Sequence, residues 1–438
     1  MNINFYHLKD LSRSARDRLL ERTRVDAEEY AALVKPILEE VRRRGDLAVI
    51  EYTQKYDGVD LSPHQLKISE AEIKSAYQRL SSSVLKAIET AIAHVQAFHQ
   101  KQMPELFWMT ELFPGIQAGE KITPIESVGL YVPGGRGFFP STMIMLGIPA
   151  VVAQVPQIVV CTPPLKDGSV DPATLVAADL CGIKNIYRVG GVQAMGALAY
   201  GTETLPKVLK IIGPGSTYVT AAKRVLRDEV DVGIPAGPSE SLILTDDTAD
   251  PYLACLDLLI EAEHGSDSSA YLITCSERVG RAVRQLLPSL LEKVPEWRRK
   301  FCEAVFSTYG GIIIAEDLDE AIAFVNDFAP EHLEILCENP FEIMKKVKNA
   351  GEILLGEYTP ISASVYALGT NHVLPTTRFA RTYSALSVYD FLKRSSISYL
   401  TREGFETLKD PVIALAEYEG FFTHAMAVRE RRFKSEKD

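Results

Sequence analysis

Hydrophobic spacing predicts that the first part of the chain is helical. Between residues 27 and 55, and again between 70 and 102, apolar side chains recur every three or four positions, with a break near Gly45. This spacing places them along one face of an α-helix, because about 3.6 residues complete a turn. We therefore expect an N-terminal helical region over residues 1–123.

After residue 124 the pattern changes to short apolar runs that alternate with helical stretches. The runs are rich in β-branched residues, as buried strands are. Those before residue 245 lie at 128–132, 157–161, 185–189, 208–212 and 241–244. Alternating strands and helices indicate βαβ units and a mostly parallel sheet. The sequence predicts a first α/β domain over residues 124–245.

A second series of the same kind follows residue 250. Its strand-like runs lie at 270–274, 311–314, 333–337 and 352–355. From Gly356 the pattern is irregular, and residues 406–434 are helical and highly charged. We predict a second α/β domain over 246–375 and a C-terminal tail over 376–438. The predicted fold class is α/β, with two Rossmann-like parallel-sheet domains, an N-terminal helical extension and a C-terminal helical tail.

Composition and charge narrow the classes of partner. Of the 438 residues, 46% are hydrophobic and 24% are charged, which excludes a disordered chain. The formal net charge of −11 argues against nucleic-acid and anionic-membrane partners, because both require clustered Lys and Arg. No apolar run is long enough to span a bilayer, and residues 1–10 contain no signal-peptide core. The six cysteines form no Cys-x-x-Cys pair, so we expect reduced thiols and a cytoplasmic enzyme.

Three predicted strands run into glycine-rich turns. These turns are residues 133–137, 190–191 and 213–215. Glycine at such a turn lets the backbone approach a phosphate at a helix N-terminus. None of the turns matches G-x-G-x-x-G, and the chain has no phosphate-binding G-x-x-x-x-G-K-[ST] motif. Two interpretations stay open: tight turns that require a positive φ, or a site for a nucleotide-like ligand.

The C-terminal histidines lie beside glycine or proline where elements end; they are His264, His332, His372 and His424. Glu261 is three residues before His264, so the two share a helical face and can converge on one metal ion. Glu331 precedes His332, which offers two proton-transfer groups for different tasks. For each histidine alone, a structural role in packing is the alternative interpretation.

Longer motifs around these residues resemble those of the histidinol dehydrogenase family. They are VGLYVPGG at 128–135, PAGPSE at 235–240, AEHG at 262–265, APEHL at 329–333, GTNHVLPT at 369–376 and LSVYDF at 386–391. The resemblance runs in order through nearly the whole chain. It implies an NAD-dependent, zinc-assisted homodimer that oxidises L-histidinol to L-histidine. The alcohol becomes an aldehyde and then a carboxylate, with two hydrides passed in succession to two NAD molecules.

The resemblance also implies roles for individual residues. His332 would remove the alcohol proton as hydride leaves, and Glu331 would activate the water that attacks the aldehyde. Tyr131 and Gln193 match positions at the NAD site, where Ser216 stands in place of the family's asparagine. The residues expected to bind substrate are Ser239, Glu261, His264, His332, Glu419 and His424.

The zinc shell is where this sequence departs from the family pattern. His264 and His424 match two of the four ligands, and the second is usually contributed across the dimer. The other two ligands, Gln and Asp, are replaced by Glu261 and Val365, and valine has no donor atom. In one interpretation Glu261 supplies the missing carboxylate, and Zn²⁺ binds Glu261, His264 and His424. In the other, zinc is absent.

Three hypotheses for function follow. The first is an NAD-dependent dehydrogenase that acts on L-histidinol in histidine biosynthesis. The second is a paralogue that oxidises another small polyol or amino alcohol, with altered or absent zinc. The third is a catalytically silent structural homologue. For the first two we expect a small-molecule amino alcohol or polyol substrate and a homodimer, with no nucleic-acid or membrane partner.

Overall fold

Residues 3–21, 27–135 and 137–433 are described by a computed structural model of the chain. The strands are β1 (Phe5–His7), β2 (Phe107–Phe113), β3 (Ile116–Pro124), β4 (Ser127–Tyr131), β5 (Gln157–Thr162), β6 (Ile186–Arg188), β7 (Lys210–Ile212), β8 (Glu240–Thr245), β9 (Ser269–Thr274), β10 (Gly310–Ile314), β11 (His332–Leu336), β12 (Glu352–Leu355) and β13 (Leu392–Leu400). Arg136 of the first glycine-rich turn and residues 434–438 of the tail lie outside the described residues.

The helices are α1 (Arg13–Leu19), α2 (Ala27–Arg44), α3 (Asp46–Asp57), α4 (Pro63–Leu66), α5 (Glu70–Arg79), α6 (Ser82–Gln102), α7 (Pro140–Val152), α8 (Pro172–Leu180), α9 (Gly191–Tyr200), α10 (Thr217–Leu226), α11 (Pro251–Ala262), α12 (Glu277–Leu291), α13 (Glu296–Ser307), α14 (Leu318–Phe328), α15 (Pro340–Met344), α16 (Ile361–Ala363), α17 (Arg402–Tyr418) and α18 (Phe422–Arg429). Short 3₁₀ turns occur at Leu8–Asp10, Phe379–Arg381 and Val388–Phe391, and a π-helical turn at Ser364–Leu368. The predicted helices over 27–55 and 70–102 are each divided in two. Gly45, with φ of +53°, separates the first pair.

The chain divides into two compact units. The first comprises Met1–Met103 with Ile125–Phe391, and the second comprises Pro104–Pro124 with Leu392–Asp438. Because each unit is built from two separate stretches of chain, these boundaries cross the domains predicted from sequence. Both predicted parallel sheets lie in the first unit, and the predicted α/β class is confirmed.

The smaller sheet of the first unit is parallel, with the strand order β6-β5-β4-β7. The chain builds outward from β4 through β5 to β6 and then returns to the other side of β4 for β7. The connections after β4 and β7 therefore leave in opposite directions, which opens a crevice at the carboxyl ends of these two strands.

The larger sheet is also parallel, with the order β1-β10-β9-β8-β11-β12. Strand β8 was predicted to close the first α/β domain, but it lies in the middle of this second sheet. Strand β1 was not predicted. A three-residue strand is too short to show a hydrophobic period, and a local pattern does not specify which strand is the pairing partner.

Strand β11 separates two hydrophobic layers of this sheet. Leu333 and Ile335 pack with α14, whereas Leu336 belongs to the layer of α11, α12 and α13. Because side chains alternate along a strand, His332 and Glu334 lie on the α11 face with Leu336. His332 and Glu334 therefore point into the layer that also contains Asp257 and Glu261, the buried acidic residues of α11.

The second unit is an antiparallel sheet in the order β13-β3-β2, with α17 and α18. None of its strands was predicted. The residues of β2 and β13 are largely exposed, and most of those of β3 are half-buried, so no clear alternation of apolar and polar positions marks these strands. Large apolar side chains are exposed here, among them Phe113 and Phe422. Within the described ranges, no helix has the length and apolar character required to cross a membrane.

Candidate active site

A cavity of about 1970 Å³ lies in the first unit, at an edge of both parallel sheets. On the side of the smaller sheet it is lined by the turns that follow β4 and β7. On the side of the larger sheet it is lined by residues that precede or begin β8 and β11. The site residues predicted from sequence that line it are Ser216, Ser239, Glu261, His264, Glu331 and His332. The cavity thus brings together six of the predicted residues.

The turn between α14 and β11 places Glu331 and His332 at the cavity. Ala329 ends α14 in a left-handed conformation with φ of +49°, and its N–H donates to the carbonyl of Val325. Pro330 follows and cannot continue the helix. The chain therefore turns within two residues, and both members of the predicted catalytic pair stand at the start of a buried strand.

His332 is held by a buried carboxylate on the neighbouring strand. Its Nδ1 donates to Oε2 of Glu352 at 3.0 Å, and the two residues are directly paired in the β11–β12 register. Their side chains are only 4% and 6% exposed. The other oxygen of Glu352 accepts hydrogen bonds from the hydroxyls of Ser364 and Thr370, the latter at 2.7 Å.

The charges around His332 favour its protonated form. Burial alone would lower the pKa of the imidazole, but the hydrogen bond to Glu352 and the carboxylates of Glu331 and Glu261 outweigh burial and raise the pKa to about 9. For Glu352, burial opposes ionisation, yet the hydrogen bonds from His332 and the two hydroxyls lower its pKa. The pair is therefore a strong proton acceptor at the cavity wall.

Glu331 is fixed to the start of the adjacent strand. Its Oε2 accepts the backbone N–H of Glu240 at 2.8 Å. Burial, the largest effect, raises the pKa of Glu331 well above its ordinary value, although the neighbouring His332 favours the charged form. A carboxylate with a raised pKa is a better proton acceptor, which suits a group that activates water.

Glu261, His264 and Ser239 form a second group in the cavity. The Glu261 Oε2 atom lies 3.7 Å from Nε2 of His264, and Ser239 Oγ lies 3.4 Å from His264 Nδ1. Glu261 is 2% exposed, and its Oε1 atom is buried without a hydrogen-bond partner among the described residues. Such an oxygen beside an imidazole is a fitting ligand for a cation.

Within the described ranges, no three His, Cys, Asp or Glu side chains are grouped so that they could hold a metal ion. Val365 lines the cavity with an apolar side chain. Glu261 and His264 therefore make up a partial donor set that requires a further ligand.

His372 also lines the cavity and is kept neutral. Its Nδ1 donates to the backbone carbonyl of Val365 at 2.9 Å. Burial, with a smaller contribution from the nearby His332, lowers the pKa of His372 to about 4. The imidazole therefore offers an unprotonated Nε2.

The predicted NAD-site residues are divided between the cavity and the protein interior. Ser216 caps α10, where its hydroxyl accepts from the N–H of Val219 at 3.5 Å, and it lines the cavity. Tyr131 is 4% exposed, and its hydroxyl accepts the backbone N–H of Gly191 at 3.0 Å. Gln193 is buried beneath the same turn. These two side chains support a glycine-rich turn from below.

Gly213, directly after β7, must be a glycine because the backbone of β4 lies too close for a side chain. Gly213 has φ of +135°, and a Cβ atom there would lie 2.1 Å from the carbonyl oxygen of Tyr131. Gly135 has φ of +99° with nothing within 4 Å of a Cβ. Both glycines therefore fit the turn interpretation, and the case for a ligand depends on the crevice at the ends of β4 and β7.

Glu419 and His424 belong to the second unit. Glu419 follows the last residue of α17, and His424 lies in the first turn of α18, where its ring packs edge-on against Phe421 with the ring centroids 5.3 Å apart. Glu352 was not among the site residues predicted from the sequence. The sequence does contain a signal for it, because this glutamate follows a glycine at the start of a buried strand. A carboxylate buried in that way requires a buried hydrogen-bonding or charged partner.

Comparisons with known proteins agree with these motifs. The family model described as histidinol dehydrogenase matches residues 20–432. A histidinol dehydrogenase from Synechocystis is 50% identical over 97% of this chain and 98% of its own. A histidinol dehydrogenase homolog from Colwellia psychrerythraea is 46% identical over 99% of this chain and 98% of its own.

A solved structure supports the same assignment. The histidinol dehydrogenase from Elizabethkingia anophelis superposes with a TM-score of 0.93 at 36% identity, and the match covers 98% of this chain and 97% of that one. The similarity thus extends through the parallel sheets and the terminal elements alike. The chain belongs to the histidinol dehydrogenase family of oxidoreductases.

Proposed function

We propose that this protein is an NAD-dependent dehydrogenase that oxidises L-histidinol through the aldehyde to L-histidine. The observation that carries the proposal is the Glu331–His332 pair, held at the wall of a large cavity by Glu352 and by the start of β8. The similarity to proteins named histidinol dehydrogenase supports the choice of substrate.

His332 serves the first oxidation. Its Nε2 accepts the hydroxyl proton of the substrate while the carbon loses a hydride, so that R–CH₂OH and NAD⁺ give R–CHO, NADH and H⁺. Each NAD, when bound, would accept one hydride, so two NAD molecules would be used in succession. The Glu352 carboxylate stabilises the imidazolium that forms on His332.

Glu331 serves the second oxidation. It accepts a proton from the water that adds to the aldehyde carbon, and the hydrated carbon then loses its hydride. R–CHO, H₂O and NAD⁺ thus give R–COO⁻, NADH and two protons. The raised pKa of Glu331 makes it able to hold the first of these protons.

The crevice at the ends of β4 and β7 is proposed to bind NAD. Ligands of parallel α/β sheets bind outside the carboxyl ends of strands where the strand order reverses. At this point α10 begins behind Ser216, so backbone N–H groups at its first turn are available to a phosphate. Tyr131 and Gln193 would support the adjacent turn from beneath.

Zinc is proposed to bind Glu261 and His264. The unpartnered Oε1 of Glu261 fits a cation, and a carboxylate here restores the charge that Val365 does not provide. The metal would polarise the substrate's alcohol oxygen. We propose that His424 of the partner subunit completes the shell and that Glu419 of the partner subunit contacts the substrate.

A homodimer is supported by the surface of the second unit. Phe113 is 67% exposed, Phe422 is 69% exposed and Tyr418 is 91% exposed. Side chains of this size, grouped on one small unit, are typical of a protein–protein interface.

The proposal is tested by measuring NAD reduction with L-histidinol and, in parallel, with other amino alcohols and polyols. We expect L-histidinol to give the highest kcat/KM. The His332→Ala variant should form no NADH with any of them. Higher efficiency with another alcohol would favour the paralogue, a possibility to which the exchange at Val365 points. A folded protein that reduces no NAD with any of these alcohols would contradict the proposal.

A further inference from the structure

We propose that Glu352 is the positioning residue of this site. In the neutral His332 ring it fixes the proton on Nδ1, so that the unprotonated Nε2 is presented to the cavity. The inference concerns the base that the proposed function requires, and it rests on that function for its role in catalysis. The geometry that supports it is independent of the substrate.

The contact is fixed by the backbone of two strands. His332 and Glu352 are opposite one another in the parallel β11–β12 register. The backbone N–H of Glu352 also donates to the carbonyl of Glu331 at 2.9 Å. Because both side chains are almost fully buried, neither has room to rotate away. The 3.0 Å hydrogen bond between Nδ1 and Oε2 is therefore built into the sheet.

The second oxygen of Glu352 is occupied by two hydroxyl donors. Ser364 and Thr370 both donate to Oε1, and their own hydroxyl oxygens lie 3.1 Å apart. Two O–H donors on one oxygen hold the carboxylate group in its plane and leave Oε2 for the imidazole. A histidine oriented in this way by a carboxylate is the arrangement that selects the tautomer in catalytic triads.

Other charged groups near His332 are not positioned to choose the tautomer. Glu331 precedes it in the chain, Glu261 approaches from α11, and His372 is a neutral imidazole. Both carboxylates favour a charged His332, but neither forms a hydrogen bond with its ring that the structure describes. Among the described residues, only Glu352 forms a hydrogen bond with a ring nitrogen of His332. Replacing Glu352 therefore tests the orientation of the ring, whereas Glu331 and Glu261 affect only its charge.

Glu352→Gln inverts the hydrogen bond while it preserves the volume. The Gln carbonyl oxygen would keep the two hydroxyl donors, and its NH₂ group would then donate to Nδ1 of His332. The ring proton would move to Nε2, and the base would be lost. We expect kcat to fall by about 10²- to 10⁴-fold, by analogy with the Asp→Asn exchange in a catalytic triad. The KM values for alcohol and NAD should change little.

The test uses the full-length protein labelled with ¹⁵N in its histidines. NMR of the ring nitrogens, without substrate and at a pH above the ring pKa of about 9, where the wild-type imidazole is neutral, should show Nδ1–H for His332 in the wild type and Nε2–H in Glu352→Gln. A pH titration of the same signals should give a lower pKa for the ring in the variant. The acid limb of the kcat/KM profile should move to lower pH. Glu357→Gln, an exposed exchange on the next segment, is the matched control and should match the wild type.

Glu352→Asp covers the case in which the glutamine variant does not fold. It keeps the charge but withdraws the carboxylate by one methylene, so the preference for Nδ1–H should weaken. An unchanged tautomer and pKa of His332 in a folded Glu352 variant would overturn the proposal. Because the NMR readout requires no turnover, a wild-type protein that oxidises no alcohol would refute the proposed function and still leave Glu352 tested.

Discussion

The proposed metal site depends on two side chains, Glu261 and Val365. Both line the cavity, the first with a carboxylate and the second with an apolar side chain. Glu261 is almost completely buried and retains one unpartnered oxygen. A buried carboxylate oxygen without a hydrogen-bond partner is costly, and a bound cation would remove that cost.

Glu261→Gln should therefore weaken zinc binding. The amide removes the negative charge but keeps the size of the side chain. A loss of zinc binding would therefore be due to the lost ligand charge and not to altered packing. We expect a lower zinc content after dialysis against a fixed concentration of free zinc, measured by elemental analysis. Glu292→Gln, an exposed exchange in the same unit, is the control. Equal zinc content in the two variants would refute the role of Glu261.

A different carboxylate should limit stability at alkaline pH. Glu334 is fully buried, two residues after His332, and lies against Asp257 of α11. Burial and the neighbouring carboxyl raise its pKa far above the ordinary value. The unfolded chain releases this proton near pH 4 to 5 while the folded protein retains it, so stability falls as the pH rises above that range.

Glu334→Gln removes this proton linkage. We expect the variant to be more stable than the wild type at pH 8, by a few kcal/mol at most, and the advantage to shrink toward pH 5. Thermal unfolding at both pH values measures it, with the exposed Glu338→Gln as control. A gain in Tm that is equal at the two pH values would contradict the linkage.

The helices and strands show which features a local hydrophobic pattern can predict. Strands β4 to β12 were predicted because they are buried and their apolar runs are long enough to recognise. The sheet to which β8 belongs was not predicted, because strand pairing depends on contacts between residues that are distant in sequence. His332 and Glu331 were found by motif, whereas Glu352 required the β11–β12 register. Residues from both sheets line the cavity, which no single segment specifies.

The turn after β7 gives a prediction about the NAD crevice. Gly213→Ala would place a methyl group 2.1 Å from the Tyr131 carbonyl oxygen and force β7 away from β4. We expect a loss of about 2 kcal/mol or more in stability and weaker NAD binding, measured by denaturant unfolding and titration calorimetry. Gly356→Ala, with φ of +80° and open space, isolates the cost of the positive φ. Equal losses in both variants would exclude the clash.

The second unit contains two of the residues that the sequence predicts for the site. Glu419 and His424 lie in that unit, with large exposed apolar side chains. The family resemblance suggested that His424 acts across a dimer, but a local sequence pattern does not itself specify an assembly. A homodimer would cover the apolar surface and supply the missing ligand.

Mixing two inactive variants tests this assembly. His332→Ala lacks the base, and His424→Ala lacks the proposed partner ligand. If the partner supplies His424, a mixed dimer contains one intact site, and activity should appear when the two variants are unfolded and refolded together. Each variant refolded alone is the control. No recovery, although sedimentation shows mixed dimers, would place His424 in the site of its own chain.

The proposed four-electron oxidation is tested by counting NADH. Purified protein with added zinc and excess NAD is given a limiting amount of L-histidinol, and the NADH formed is measured by absorbance once the reaction is complete. Two NADH per L-histidinol are predicted, because His332 and Glu331 provide for two successive hydride transfers. One NADH per L-histidinol, or none from protein shown to be folded, would contradict the account.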